Sequence, residues 1–468
     1  MRTAQVKTIL KAVVGIAVGL IIAVQKPPTG LTIEGMQALG IVAWAVTWWV
    51  LAVVPEYVTA MLMGTFFVLF KLVEFPQAFA SFSGSTMWLL MSALGLGAAV
   101  AKSGLLQRAA LLIMNRFPLH FKGQVLGLLG VGLVTAPFIP STNAKVAMLA
   151  PLTKAISDAM GYERKSPAAA GLFGAMFTGV CNMAPLFISA SAIGFLIQGL
   201  LPLETRNQFT FAYWLLCALP WTVVMSVLNY LAIIWLYKPA HEKHLSSDYI
   251  KQQLQQLGPM QGREKYTAAV VLLTFGLWAT ESLHGISPTV VAMISLCVLI
   301  GGGMMTREDF RSSIPWDSLI FIGATISLSV VFAALDINSW VVSIFSPVIA
   351  HFAGNIYLFI LVLSLVTYVV RVILVSQMAY ISIFLVFLVP LAVNVGINPW
   401  VVGFILFATV NGWLFFFQNP IFLTAFYAAN GDFIEHHQTI NLCLAYMVIA
   451  VLGLFASVPL WQILGLVP

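Results

Sequence analysis

The chain has 468 residues, of which 60% are hydrophobic and only 8% are charged, and its formal net charge is +6. A soluble domain has about 25% charged residues, so this composition excludes a soluble globular enzyme and a disordered chain. The 22 basic residues are scattered rather than clustered, and a nucleic acid is therefore not expected as a partner. The sequence is that of a polytopic membrane protein, with the lipid bilayer as its surroundings.

Apolar runs long enough to cross a bilayer, about 20 residues each, follow one another along the chain. We predict an all-α fold of about 11 transmembrane helices and two re-entrant helical hairpins. The continuous runs are Ile9–Val24, Met36–Val53, Val58–Val73, Met87–Met114, Tyr213–Tyr237, Ala268–Leu283, Val290–Met305, Leu319–Ile349 and Leu442–Leu464. The interrupted runs are Val125–Met160, Ala168–Leu201, Tyr357–Val395 and Val401–Ala429.

Charged segments divide the chain into four predicted parts. The first transmembrane helix occupies residues 1–33, and residues 238–265 form a cytoplasmic linker between two repeats. Repeat 1 (34–237) contains a hairpin at 124–160 and a broken helix at 167–201. Repeat 2 (266–468) contains a hairpin at 356–395 and a broken helix at 400–429.

The basic residues predict the orientation, because cytoplasmic loops are enriched in Lys and Arg. With a cytoplasmic N-terminus, an external C-terminus and two re-entrant hairpins, most of the basic residues fall on the cytoplasmic side. Lys26, Lys71 and Arg206 are left outside, and Lys102 lies near a helix end. No targeting sequence is evident, which fits a multi-pass protein of a bacterial inner membrane.

The two halves of the chain resemble each other at an offset of about 232 residues, a sign of an internal repeat. Phe79 before SFSGSTMW pairs with Phe310 before RSSIPWDS, and the interrupted run from Val125 pairs with that from Tyr357. Each half has five crossings, and an odd number inverts the second copy in the membrane. Inverted-topology repeats with broken helices are typical of secondary transporters, whose substrate site lies where the repeats meet.

The tip of the first hairpin carries a polar string after Pro137 and Pro140, neither of which can continue a helix. Ser141 follows where an N-cap belongs. Free N–H groups at residues 143–145 would then present a positive helix end, which suits an anionic carboxylate. The alternative is an ordinary kink in which the polar groups satisfy the freed backbone. The predicted substrate-binding residues of this tip are Ser141, Thr142 and Asn143.

The tip of the second hairpin and the two broken helices are the other polar interruptions. The second tip has no proline, and its place in the repeat favours binding, with packing between helices as the alternative. Unwound backbone in the broken helices would expose carbonyls to a cation or amides to an anion, or else would only bend and pack the helices. The predicted substrate-binding residues here are Ser376, Gln377, Asn182, Pro185, Asn419 and Pro420.

Two basic residues, Lys145 and Arg371, lie at the hairpin tips and inside the hydrocarbon zone by this layout. A charged residue there costs about 2.5–3.5 kcal/mol or more, so we predict that both belong to the substrate site. Their partner would be a substrate carboxylate, or they would stand where a sodium ion otherwise binds. The alternative is that each side chain extends to a membrane interface.

Enzyme chemistry is not expected from this sequence. It has no His–Cys metal spacing, nucleophile elbow, phosphate loop or pair of catalytic carboxylates, so we predict no cofactor and no metal centre. Three acidic residues, Glu281, Asp317 and Asp336, are near predicted helix ends, where capping or an interfacial position accounts for them.

The hairpin motifs resemble a known family, the divalent anion/sodium symporters (DASS), which include the INDY-type dicarboxylate and citrate transporters. The similarity covers the chain after the first span and rests on PSTNAKVAMLAPLTKAISDAMG and SQMAYISIFLVFLVP, together with SGLLQRAA and IPWDSLIFIGATISLS. Ser141, Thr142 and Asn143 match the first Ser-Asn-Thr motif with the last two residues exchanged. In the second motif Gln377 and Met378 stand where the family has Asn and Thr.

The resemblance implies a homodimer in which each subunit has a scaffold domain and a moving transport domain. The transport domain would hold both hairpins and both broken helices and would carry a dicarboxylate or tricarboxylate by an elevator-like movement. If the protein is coupled to sodium, the resemblance places the ion near Ser141, Asn143, Gly179, Ser376 and Gly412. The departure at the second motif argues against a second sodium site.

Together, the altered motif and the two buried cations predict a sodium-independent exchanger. A fixed positive charge offsets the cost of a dianion in a low dielectric, but it cannot dissociate to let the empty carrier return. The expected substrates are C4 and C5 dicarboxylates such as malate, succinate and 2-oxoglutarate, or citrate. A sodium-coupled symporter is the alternative, and an anion channel is a more distant one that requires a continuous polar pore.

Overall fold

The computed structural model describes residues 2–468, with all side chains except those of residues 2–4, 247, 348, 350, 351 and 353. Met1, which opens the first predicted segment, lies outside the described residues. Over this part of the chain the regular structure is helical, which confirms the predicted all-α fold. The first half contains α1 (Arg2–Ala23), α2 (Ile33–Leu51), α3 (Glu56–Leu69), α4 (Phe75–Ala78), α5 (Ser85–Ser103), α6 (Leu105–Met114), α7 (Phe121–Thr135), α8 (Thr142–Ala159), α9 (Pro167–Phe177), α10 (Ala192–Leu200), α11 (Leu203–Gln208) and α12 (Phe211–Leu236).

The second half begins with the linker and repeats the order of long helices, hairpin and broken helix. Nine helical segments within residues 2–468 are long and apolar enough to span a bilayer, and four more apolar helices (α3, α6, and the helices that begin at Pro288 and Pro399) are shorter. The helices are α13 (Ser247–Gln256), α14 (Gly262–Ala279), α15 (Glu281–His284), α16 (Pro288–Gly301), α17 (Arg307–Ser312), α18 (Trp316–Ala334), α19 (Ile337–Ala353), α20 (Ile356–Ile373), α21 (Gln377–Asn394), α22 (Pro399–Thr409), α23 (Pro420–Ala428) and α24 (His436–Ile463).

Two runs that the sequence predicts as single spans, Met87–Met114 and Leu319–Ile349, are each divided into two helices. The first is broken at Gly104 (φ 82°) and the second at Asp336 (φ 54°). A left-handed residue ends a helix, and Gly or Asp adopts this conformation more readily than other residues. Polar residues stand at both breaks (Lys102, Ser103 and Asp336), but the apolar residues on either side of them favour the reading of each run as one span.

The predicted linker is partly helical and packs against the first half. α13 lies within it, and Ile250 on this helix is fully buried. Just before α13, the Leu245 N–H donates to the Leu119 carbonyl at 2.8 Å. The linker is therefore held on the loop between α6 and α7.

The two repeats interlock in symmetric pairs of contacts. α3 packs on α18, and α5 packs on α16. The repeat relates α3 to α16 and α5 to α18, so these two contacts are equivalent. In the same way α8 of the first hairpin packs on α23, and α21 of the second hairpin packs on α10. Each hairpin thus contacts the broken helix of the other repeat, while α12 and α24 pack on each other. This arrangement brings both hairpin tips to one place.

Candidate functional site

A cavity of about 440 Å³ lies between the two hairpin tips. Its wall also includes the starts of α3 and α18 and residues 191–193 of the first broken helix. Six of the predicted substrate-binding residues line it: Ser141, Thr142, Asn143, Ser376, Gln377 and Pro420. The sequence pattern therefore identified residues from both repeats that share one cavity.

The first hairpin turns through a short 3₁₀ helix, Ala136–Phe138, and then an extended stretch up to Ser141. The Ser141 hydroxyl accepts from the Ala144 N–H at 3.3 Å, which makes Ser141 the N-cap of α8. The Lys145 N–H donates to the Ser141 carbonyl at 3.1 Å. The predicted set of free N–H groups at 143–145 is therefore only partly right, because those of Ala144 and Lys145 are paired and a helix leaves unpaired the N–H groups nearest its start. Those of Thr142 and Asn143 are nearest the cavity.

The second hairpin turns in three residues without a proline, and its tip has the same capping arrangement. The Ser376 hydroxyl accepts from the Ala379 N–H at 3.1 Å and is the N-cap of α21. The same hydroxyl donates to Oε2 of Glu56 at 2.8 Å. Since Glu56 begins α3, this bond connects the hairpin tip to a helix of the other side of the cavity.

Lys145 is fully buried and is not one of the residues that line the cavity. Its Nζ donates to the carbonyl oxygen of Ala190, 2.9 Å away in the unwound part of the first broken helix. Nearby, the Ser189 hydroxyl donates to the Pro137 carbonyl at 2.9 Å. Lys145 therefore holds the unwound segment against the first hairpin and does not extend to a membrane interface.

Arg371 is 1% exposed and binds backbone carbonyls on two segments. Its guanidinium donates to Leu374 at 2.7 Å and also to Val375, both at the hairpin tip. It donates as well to Val410 at 3.1 Å and Gln418 at 2.9 Å, which flank the unwound part of the second broken helix. Carbonyl oxygens of unwound backbone are the ligands that transporters of this architecture offer to a sodium ion, so here a fixed cation occupies such a position.

Lys145 and Arg371 both bind backbone carbonyls of an unwound segment, but they lie at different positions in their hairpins. Lys145 lies four residues after the N-cap of its hairpin, whereas Arg371 lies five residues before its N-cap. Each side chain crosses from a hairpin to the unwound segment of the broken helix in its own repeat. Both charges are thus close to the tips that line the cavity, without lining it themselves.

A chain of amide hydrogen bonds joins the second hairpin to both broken helices. Nε2 of Gln377 donates to Oδ1 of Asn411 at 2.9 Å. Nδ2 of Asn411 then donates to the carbonyl of Cys181 at 3.0 Å, in the first repeat. Gln377, which departs from the family's Asn, therefore has a structural partner as well as a position on the cavity wall.

The predicted residues of the broken helices have separate surroundings. Asn182 is fully buried within a π-helical turn, Thr178–Asn182, and both polar atoms of its side chain lack a hydrogen-bond partner among the described residues. Asn419 is the N-cap of α23, where its Oδ1 accepts from the Phe422 N–H at 3.1 Å. Pro185 lies off the cavity wall, and its carbonyl accepts from Nε1 of Trp214 at 2.9 Å.

Gly179 and Gly412 are required for close packing. A Cβ added at Gly179 would lie 3.0 Å from the carbonyl oxygens of Leu128 and Leu129 on α7. One added at Gly412 would lie 2.9 Å from the ring of Tyr368 on α20. These contacts account for both glycines without a cation, and support the packing alternative for them.

Sequence reasoning missed the acidic residues of the cavity. Glu56 and Asp317, at the starts of α3 and α18, both line it. Asp317 lies in the first turn of α18, as the predicted position near a helix end requires, and it also lines the cavity, which was not expected. The available signal was local, because Glu56 directly follows Pro55 and Asp317 lies two residues after Pro315, each at the start of a helix.

Outside the membrane-spanning segments, an ion cluster joins the first hairpin to the second repeat. Nζ of Lys154 on α8 is 2.9 Å from Oδ1 of Asp432, and Nη1 of Arg164 is 2.6 Å from Oδ2 of the same carboxylate. The hydrogen bond from Lys154, followed by the charges of Lys154 and Arg164, lowers the pKa of Asp432 below its ordinary value. Asp432 is therefore ionised at neutral pH and holds α8 beside the end of α23.

Comparison with known proteins gives matches along almost the whole chain. The family model described as "Sodium:sulfate symporter transmembrane region" matches residues 6–467. The Dicarboxylate transporter 2, chloroplastic, of Spinacia oleracea is 26% identical over 346 residues, which cover 71% of this chain and 60% of that protein. The putative malate transporter YflS of Bacillus subtilis is 25% identical over 334 residues, which cover 69% and 70%.

A solved structure has a similar fold. The YdaH transporter of Alcanivorax borkumensis aligns with a TM-score of 0.57, over 83% of this chain and 88% of that chain. Its sequence identity is 17%, so the likeness concerns the fold alone.

Proposed function

The chain belongs to the family described as the sodium:sulfate symporter transmembrane region, the DASS family that its hairpin motifs resemble, and from this premise we propose that it exchanges dicarboxylates independently of sodium. Members of this family are transporters rather than enzymes, and this chain, with its apolar helices, is a multi-pass protein of the cell membrane. Related proteins carry names that specify dicarboxylate or malate transport. The proposed substrates are accordingly malate, succinate, 2-oxoglutarate or citrate.

The observation that carries the proposal is the position of the Arg371 guanidinium. It donates to carbonyl oxygens at the second hairpin tip and on both sides of the unwound segment beside it. Oxygen ligands of this kind suit a small hard cation as well as a guanidinium. Because Arg371 already binds them, a dissociable ion is not needed to stabilise the segment or to offset the charge of a dianion nearby.

The same fixed charge favours exchange over net transport. A dianion beside Arg371 and Lys145 is partly neutralised, whereas the empty carrier would have to cross with two uncompensated cations. Moving a charge through the low-dielectric middle of the membrane is costly. Return with a second dicarboxylate avoids that cost, so counter-transport is the favoured cycle.

For the movement itself we propose an elevator-like displacement in a homodimer. The moving group comprises both hairpins, both broken helices, α12 and α24, and the stationary group comprises α1–α3, α5, α14, α16 and α18. The cavity between the groups, with Glu56 and Asp317 on the stationary side, supports this division. The basic residues support a cytoplasmic N-terminus and an external C-terminus.

The experiment that tests exchange uses purified protein in proteoliposomes. Labelled succinate is offered outside vesicles that contain either buffer or one unlabelled dicarboxylate, with choline or sodium as the outer cation. We expect rapid uptake only into loaded vesicles and no effect of sodium. Uptake into buffer-filled vesicles driven by a sodium gradient would refute the proposal.

The alternative that a specific observation favours is a sodium-coupled symporter. The side chains of Thr178 and Asn182, buried in the π-helical turn, have oxygen atoms without a hydrogen-bond partner in the part of the chain described. Such oxygens are potential ligands for a sodium ion. The choline and sodium arms of the same assay separate the two functions, since only the symporter depends on the outer cation.

A further inference from the structure

The hydrogen bond between Ser376 and Glu56 connects the two groups of helices defined above. Ser376 belongs to the moving group, and Glu56 belongs to the stationary group. The Ser376 hydroxyl donates to Oε2 of Glu56 at 2.8 Å. Ser376 caps α21 of the second hairpin, and Glu56 begins α3. A contact across this boundary has to break whenever the two groups move past each other.

The Glu56 carboxylate lies where a substrate carboxylate would be stabilised. It faces the N-terminus of α21, an end of a helix that favours negative charge. Arg371 and Asp317 are the charged groups within electrostatic reach of it, one of each sign. Glu56, Asp317 and Ser376 line the same cavity, so a dicarboxylate that enters it meets the Glu56 carboxylate at the second tip.

Two carboxylates cannot share the Ser376 hydroxyl, which has one proton to donate. Like charges so close also repel each other. A substrate carboxylate therefore reaches this tip only when Glu56 leaves it. The two states of the tip, bound by Glu56 or bound by substrate, exclude each other.

From this geometry we infer that Glu56 takes the place of a substrate carboxylate when no substrate is bound. In this way it makes movement of the carrier depend on a bound dicarboxylate. The inference rests on the proposed function. Without a bound dicarboxylate, Glu56 holds Ser376 and fastens the second hairpin to α3, so the carrier does not cross. A bound dicarboxylate displaces Glu56, and the carrier is then released to move.

The test compares Glu56→Gln with Glu34→Gln in reconstituted protein. The quantity measured is the ratio of labelled succinate uptake into buffer-filled vesicles to uptake into dicarboxylate-loaded vesicles. Glu56→Gln weakens the bond by removing its charge, so we expect the ratio to rise at least about tenfold, the factor that loss of a charged hydrogen bond produces. Glu34→Gln makes the same substitution at an exposed position in the first turn of α2, on the stationary side but outside the cavity, and we expect the wild-type ratio.

Three results would overturn the inference: an unchanged ratio in Glu56→Gln, an equal rise in both variants, or a fall. If Glu56→Gln does not yield folded protein, Glu56→Asp replaces it. The shorter side chain keeps the charge but withdraws from Ser376, and the same rise is expected. A wild-type protein that requires sodium or shows no exchange contradicts the proposed function itself, whereas normal wild-type exchange with an unchanged variant ratio contradicts only the role of Glu56.

Discussion

The Arg371 guanidinium donates to the carbonyl oxygen of Val410 at 3.1 Å, across 39 residues of sequence. The bond joins the last turn of α20 to the point where the second broken helix unwinds. Both ends of the bond are buried. An unwound segment inside a membrane needs partners for its free carbonyls, and Arg371 supplies them.

Substitution of Arg371 tests whether a cation is required at these carbonyls. In Arg371→Ala we expect sodium-free exchange of succinate to fall at least about tenfold, because buried carbonyls left without a partner each cost about 1–3 kcal/mol. Sodium, but not choline, should restore part of the exchange by binding the same oxygens. Arg371→Lys keeps the charge with fewer donors and should lose less. Full exchange by Arg371→Ala in choline would contradict the assignment.

Substitution of Lys145 tests the contribution of the second fixed charge to substrate affinity. Lys145→Met keeps the length of the side chain and removes the charge that offsets the dianion. We expect the KM for succinate to rise about tenfold, which corresponds to about 1.4 kcal/mol, while the maximal exchange rate changes less. The control is Lys102→Met, because Lys102 is exposed and binds Asp309 outside the cavity. An unchanged KM in Lys145→Met would mean that Lys145 only fixes the unwound segment.

Asn182 and Asn411 should respond to substitution with opposite signs of stability change. Both side-chain polar atoms of Asn182 are buried without a partner among the described residues, and a buried unpaired group costs about 1–3 kcal/mol. Asn182→Leu should therefore raise the melting temperature in detergent and lower transport. Asn411→Leu breaks bonds to Gln377 and Cys181 and should lower the melting temperature. A fall in both variants would show that the Asn182 amide is paired.

The Asp432 cluster predicts a pH-dependent contribution to stability. At pH 7, Asp432→Asn should lower the free energy of unfolding by about 1 kcal/mol, a value suited to partly exposed ion pairs. Because partners lower the folded-state pKa of Asp432 from its ordinary 3.8, this contribution is complete above that value and is lost as the pH falls below it.

Thermal unfolding of wild type and Asp432→Asn from pH 7 to pH 3 measures this contribution. The two melting temperatures should differ by a constant amount down to about pH 5 and converge below the ordinary pKa. Glu163→Gln, at an exposed acid nearby, is the control and should match the wild type throughout. A difference that grows on acidification would contradict the sign.

Local chemistry made part of the site predictable. The N-cap Ser141 follows from a hydroxyl placed after two prolines at the start of a half-helix, and it was predicted as such. Ser376 was predicted as a binding residue from its place in the repeat, without its role as the N-cap of α21. The contacts of Lys145 and Arg371 were not predicted, because their partners are 45 and 39 residues away and are backbone carbonyls, which every residue has. Glu56 was missed because its contact to Ser376 spans 320 residues and depends on how the repeats pack.

The interlocking of the repeats has a consequence for biosynthesis. Lys154 finds its partner Asp432 278 residues further along the chain, and α8 cannot pack on α23 before that helix has been made. At about 5–20 residues per second, the ribosome needs roughly 14–56 s to synthesise the intervening stretch. During that interval the first hairpin lacks both its helix partner α23 and the carboxylate that pairs with Lys154. The first half can therefore reach its final packing only after most of the second half has been made.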